Sequence, residues 1–286
     1  MNLRHIKTYG LISISMLMAG CAGHKHSHES DTVMESPGQP AIMASENCDS
    51  VLDGLAAYDE QRLNPASIEL LNWNAHKHIH DEMHTDLMAL TVNSDLILLQ
   101  ETAPDYEHLE QIKPPLHWVY APGYRWTGRT TGVITASKVK PLAYCRIMSK
   151  EPVLRTPKAI NVTRYALAGT DETLLVINVH LVNFSIGTQS LREQVSKITA
   201  LTDRHDGPVI VSGDFNTWSK SRAKLVDEKM FGAGMTAIIY KQDKRTLFFG
   251  RPVDHFFVRG LSQLKATTVE VESSDHNPMS VTLSLN

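Results

Sequence analysis

Polar motifs recur just past apolar runs along this 286-residue chain. Asn74 follows Leu70-Leu71-Asn72-Trp73, and Gln100-Glu101 follows Leu96-Ile97-Leu98-Leu99. His180 and Asn183 follow Leu175–Val179, and Gly213-Asp214-Phe215-Asn216 follows Val209-Ile210-Val211-Ser212. Asp254-His255 and Ser274-Asp275-His276 complete the set. Each alone reads as an ordinary strand end, where Asp, Asn and Gly start turns. Their repetition at strand ends, where ligand sites gather in α/β sheets, argues for one shared site.

The residue types suit phosphodiester cleavage. That reaction needs an in-line nucleophile, neutralised non-bridging oxygens and a stabilised leaving oxygen. Hard divalent cations prefer oxygen ligands, and Mg²⁺ often uses only one or two carboxylates. Glu101 is the natural first ligand, with the Asn74 amide oxygen nearby and Asp275 as another candidate. His276 can take a proton from water, held in its tautomer by Asp254. Asp214 can align or deprotonate the nucleophile, or protonate the leaving oxygen. His180, Asn183 and Asn216 can donate hydrogen bonds to phosphoryl oxygens.

Residues around these motifs leave choices open. Trp218 could stack a base or sugar, or pack as a core aromatic at a helix start. Arg251 could meet a phosphate bidentately, or form a surface salt bridge. Arg155 and Lys158 could reach the groove, but a solvated face is the favoured reading. His255 alternates with Asp254, so it points away and is structural. Trp73 and Phe215 belong in the core. His76, His78, His80 and His84 could hold zinc, but loop or helix surface is favoured. No exposed aromatic or apolar run that would insert beside a lipid head group is expected.

Strands must carry these groups. Apolar runs predict strands at Ile68–Trp73, Leu96–Leu99, Val133–Thr135, Asn161–Leu167, Thr173–Val179 and Pro208–Ser212. Three more follow at Val253–Val258, Ala266–Val271 and Met279–Leu283. Met83, Leu87 and Leu90 have helical spacing, as do Leu191, Val195, Ile198 and Leu201, the latter opened by Thr188. No internal repeat is visible. Strands outnumber helices, which predicts an α/β fold of sheets covered by helices.

The N-terminus has its own logic. Arg4 and Lys7 precede an apolar stretch, Tyr9–Met18, and then Ala19-Gly20-Cys21. Such a stretch is too short to span a bilayer and reads as a cleaved signal over residues 1–20. Leu17-Met18-Ala19-Gly20-Cys21 resembles a bacterial lipobox, with Cys21 as the lipidation site and Met18 a departure. The expected localisation is therefore a bacterial cell envelope, with lipid anchorage in the outer membrane, periplasm or cell surface. Residues 21–66 are expected to be a flexible polar tether, in which His24, His26 and His28 could bind a metal loosely. Residues 67–286 form the expected catalytic domain. Losing Arg4 and Lys7 takes the formal charge from -3 to -5, which excludes a strongly basic nucleic-acid coat protein. Cys48 and Cys145 either pair or stay as free thiols.

Together the motifs resemble the endonuclease/exonuclease/phosphatase superfamily with its DNase I-like fold, over roughly residues 67–286. Gly213-Asp214-Phe215-Asn216 and Ser274-Asp275-His276, in this order, are the most specific part. The resemblance implies a four-layer sandwich, two packed mixed β-sheets flanked by helices. It also implies Mg²⁺ or Mn²⁺ near Glu101 and Asn74, His276 as base, Asp254 as its partner, and His180 and Asn183 at the scissile phosphate. Val179–Ser185, Asp214–Ser219, Phe249–Asp254 and Leu154–Lys158 look like a small bacterial subfamily with no settled substrate. The compact domain lacks room for long substrate-gripping insertions. The expected enzyme is a monomeric, lipid-anchored nuclease or phosphodiesterase acting on nucleic acid. The alternatives are a phosphatase or phospholipase-like enzyme on phosphoinositide or sphingomyelin, and a non-enzymatic metal-binding lipoprotein.

Overall fold

The computed structural model describes residues 34–35, 44–45, 48–49, 61–78, 82–103, 115–126 and 128–286. The expected signal over residues 1–20, Cys21, the 24–28 histidines and His80 lie outside them. Two seven-stranded sheets face each other. The first runs β1 (Met34–Glu35), β5 (His117–Trp126), β6 (Arg129–Ser137), β4 (Leu96–Thr102), β3 (Ile68–Asn74), β16 (Met279–Leu285), β15 (Leu261–Thr268). The second runs β11 (Thr236–Ala237), β14 (Asp254–Arg259), β10 (Val209–Asp214), β9 (Thr173–His180), β8 (Pro157–Ala166), β7 (Ala143–Lys150), β2 (Ala44–Ser45). A separate hairpin pairs β12 (Leu247–Phe248) with β13 (Arg251–Pro252).

The apolar runs are unbroken because both faces of each central strand are covered. In β4, Leu96 and Leu98 join Ile68, Val176, Ile210 and Phe256 between the sheets. Ile97 and Leu99 point the other way, to Trp73 and to Met83 and Leu87 of α1 (Met83–Thr91). The outer face of the second sheet packs on α2 (Gln189–Asp203) through Leu191, Val195 and Ile198. It also packs on α3 (Lys220–Gly232) through Leu225, Val226 and Met230. Helix, sheet, sheet and helix make the four layers that the resemblance implies. Among the described residues, no helix is long and apolar enough to cross a membrane.

Topology sets where the site falls. Each sheet holds a parallel pair joined through a helix, β3–α1–β4 and β9–α2–β10, and the second sheet has a further parallel pair, β2–β7. Parallel strands end at the same edge, so Asn74 aligns with Gln100, and His180 with Asp214. Antiparallel β14 begins where β10 ends, placing Asp254 opposite Asp214. Antiparallel β16 runs alongside β3, with Met279 opposite Asn72, which brings the preceding Ser274–His276 loop to Asn74.

Three features depart from expectation. β1 and β2 are edge strands inside the stretch expected to be a tether. β5 tolerates Pro122 and Gly123 because its pairing with β6 shifts register there, as proline in sheets requires. α3 has little apolar periodicity, and its buried set includes Arg222. Cys48 and Cys145 form a disulfide between residues 97 apart in sequence. Closing so long a loop restricts the unfolded chain, typically by about 2–5 kcal/mol. Cys48→Ser should lower the oxidised melting temperature to that of reduced wild type. A thermal melt with and without reductant measures this.

Candidate active site

Every catalytic and metal candidate of the sequence gathers at this shared edge. His276 Nδ1 lies 2.7 Å from Asp254 Oδ2, and both side chains are buried. The Trp73 indole donates to the His276 carbonyl at 2.8 Å, so a core aromatic fixes the loop. Ser274 Oγ accepts the His276 N–H at 3.1 Å and donates to the Asn74 carbonyl at 2.7 Å. Asp275 is 46% exposed, with Oδ1 3.4 Å from His76 Nδ1.

Opposite Asp254 in the β10–β14 pairing, Asp214 is held by amides. Its Oδ1 accepts the Asn216 N–H at 2.9 Å, and its Oδ2 accepts Asn74 Nδ2 at 3.2 Å and Asn216 Nδ2 at 3.3 Å. Asn216 Nδ2 also donates to the Leu181 carbonyl at 3.0 Å. Both amide hydrogens of Asn216 are thereby used. It positions Asp214 and does not donate to a phosphate, as its type alone suggests. Gly213 makes the approach possible: a Cβ there would lie 2.0 Å from the Val179 carbonyl oxygen.

Glu101 sits at a bulge in β4, with a positive φ of 51°. Its carboxylate pairs with the Lys77 ammonium. His180 Nε2 lies 3.6 Å from Glu101, 3.7 Å from Asp214 and 2.7 Å from Lys158 Nζ. Lys158 must donate in that last contact, so Nε2 of a neutral His180 accepts. Gln100 turns inward, bonding Asn72 at 3.0 Å and Asn178 at 2.7 Å between the sheets. It is structural.

Charge placement follows from burial and neighbours. Burial alone would raise the Glu101 carboxyl, but Lys77 foremost, with Lys158, holds it well below the usual range. Burial and then Lys158 depress His180. Burial would also lower His276, yet Asp254 foremost, with Asp214 and Asp275, raises it to about 10. Burial raises Asp214 to about 7, with Asp254 adding and His276 opposing.

A profile of the Endonuclease/Exonuclease/phosphatase family matches residues 58–276. The chain belongs to this family. A relative from Vibrio campbellii, described only as a UPF0294 protein, is 35% identical over 222 residues, covering 77% of this chain and 78% of that one. Among solved structures, an endonuclease/exonuclease/phosphatase from Bacteroides vulgatus shares the fold with a TM-score of 0.61. Its identity is 15%, over 77% of this chain and all of that one. The catalytic domain of human Nocturnin, solved with a bound sulfate anion, gives a TM-score of 0.59 at 15% identity. It covers 79% of this chain and 97% of that one.

Some members of this cluster are absent from the sequence expectation, or placed differently by it. Lys158, expected on a solvated face, is buried against His180. His76, expected at the surface, is half-buried among Asp275, Lys77, Glu101 and His276. Lys77 gave no signal, because its role needs a positive φ of 62° in the turn after β3. Trp218 donates to Asn183 Oδ1 at 2.9 Å and stacks under Arg222. Asn183 keeps its amide hydrogens for other partners. Arg251 makes no ion pair among the described residues. His255 is structural, bonded to Thr217 at 2.6 Å and stacked on Phe257. Leu247, Phe248 and Phe249 are exposed near His276, against the expectation of no apolar run.

The donor set fits a hard divalent cation in chemistry: carboxylates of Glu101 and Asp275 with the Asn74 amide oxygen. Among the described residues no cluster of three His, Cys, Asp or Glu stands ready to hold a metal. Lys77 already supplies Glu101 with positive charge, so a metal must displace it. Lys77→Met should therefore tighten Mn²⁺ binding, on the order of tenfold, or about 1.4 kcal/mol. Calorimetric titration without substrate measures it; unchanged affinity would mean that Lys77 does not compete.

Proposed function

We propose that the chain is a divalent-metal-dependent phosphodiester hydrolase. The carrying observation is one cluster at the shared sheet edge: the Asp254–His276 pair, Asp214 opposite Asp254 in register, and Glu101 and Asp214 both beside His180. Glu101, Asn74 and Asp275 would hold the cation. When bound, it would neutralise charge on the phosphoryl group and its leaving oxygen.

The chain's own groups divide the remaining work. Asp254 favours the imidazolium form of His276, which suits a cationic donor to a phosphoryl oxygen better than a base. This reverses the role that residue type suggests. Asp214 then takes the proton of the attacking water, as the bond from water to phosphorus forms and the bond to the leaving oxygen breaks. Asn216 and Asn74 fix both Asp214 oxygens, so the base is oriented before substrate arrives. Lys158 and the amide hydrogens of Asn183 would serve as further donors to the phosphate.

Export, lipidation at Cys21 and a cell-envelope site remain part of this reading, carried by the N-terminal sequence. Nucleic acid is the first substrate class, and the exposed hairpin favours lipid phosphodiesters as the second. Incubating the purified chain with plasmid DNA, RNA and sphingomyelin, each with Mg²⁺, Mn²⁺ or chelator, separates them. Metal-dependent cleavage of none of these, nor of a chromogenic diester, would overturn the hydrolase reading.

A further inference from the structure

The β12–β13 hairpin has chemistry that the reaction does not use. Its two-residue turn is Phe249-Gly250, with positive φ at both, 49° and 74°. That is the signature of a type I′ turn, which favours Asn-Gly or Asp-Gly. A bulky aromatic at positive φ is an outlier. Phe249 stands there nevertheless, 81% exposed, beside Leu247 at 59% and Phe248 at 40%. Neither backbone preference nor core packing accounts for it.

The hairpin adjoins the site. Phe248 lies 5.8 Å from the His276 ring, and Phe249 meets Trp218 edge-on at 6.2 Å. The flanks are basic: Arg245 pairs with Asp243 and Lys244 with Glu270, while Lys241 and Arg251 make no ion pair among the described residues. Exposed aromatics settle at the level of lipid head groups, and nearby cations are drawn to anionic lipid. A tip that stacked on bases would present ring faces and a basic groove, but Leu247 has no ring face to offer.

We infer that this hairpin is a membrane-docking element, seating Leu247, Phe248 and Phe249 in an anionic bilayer and holding the site mouth at the head groups. Docking would fix where the site works, whichever bond it cleaves.

The test uses the full chain, so that any N-terminal attachment is common to all variants. Phe249→Trp is mixed with phosphatidylglycerol vesicles carrying brominated acyl chains, and its emission is compared with wild type. The introduced indole should be quenched by the brominated lipid, and several-fold less in neutral phosphatidylcholine vesicles. Absence of extra quenching overturns the inference, as does quenching by a single-stranded oligothymidylate instead. Phe249→Asn should melt at or above the wild-type temperature, since Asn suits the turn. A large drop would make Phe249 a structural residue and also overturn it.

Discussion

Replacing Asp214 with Asn is expected to lower kcat about 10²–10⁴-fold, the usual contribution of a positioned general base. The reason is specific to its surroundings. Burial and the neighbouring Asp254 raise its carboxyl to about 7, while His276 opposes. A base poised near neutrality combines correct protonation with driving force. Asn cannot accept the proton, but it keeps an oxygen for the Asn216 N–H, which approaches Oδ1 at 2.9 Å. At Oδ2 the new amide nitrogen meets the donors Asn74 Nδ2 and Asn216 Nδ2, a local cost, but Gly213, Phe215 and the β10 pairing are untouched, so the fold should persist. Initial rates and a thermal melt on one preparation separate the effects. Full activity would remove Asp214 from the chemistry. A rate loss with a collapsed melt would make it structural.

Asp254→Asn carries the second large effect, and its sign follows from His276. Burial alone would lower the imidazole, and the Asp254 charge is the chief reason it rises to about 10. In wild type, His276 stays protonated below that value and loses its proton as pH rises through it. The folded pKa exceeds the unfolded value near 6.5, so the pair's stabilisation is full below pH 6.5 and fades as pH climbs to about 10. Without the Asp254 carboxylate, burial dominates and the imidazole is neutral at pH 8. A rate loss of about 10²–10⁴-fold at pH 8 is expected, with partial recovery in acid. Proton resonances of the His276 ring give the direct readout. An unmoved titration would show that Asp254 does not hold the charge.

The strand ends were legible because each polar motif closes an apolar run, and a covered β-strand must be apolar along its length. Asp214, Glu101, Asp254 and His276 could be named on type and spacing alone. What lay hidden depends on backbone conformation or on long-range packing. Lys77 reaches Glu101 only through a positive-φ turn, and Lys158 reaches His180 only because β8 lies beside β9. The spent amide of Asn216 could not be inferred from its type. Nor could the exposure of Phe249, since Leu-Phe-Phe reads equally as core. α3 escaped notice because its inward face includes Arg222, which donates to the Asn216 carbonyl at 2.6 Å.

The most direct measurement is hydrolysis of bis(p-nitrophenyl) phosphate by the purified chain. Nitrophenolate release should require Mn²⁺ or Mg²⁺, stop on chelation, and be lost in Glu101→Gln despite a folded thermal melt. Release at the wild-type rate in chelator, or in Glu101→Gln with either metal, would contradict a metal-dependent hydrolase centred on these residues.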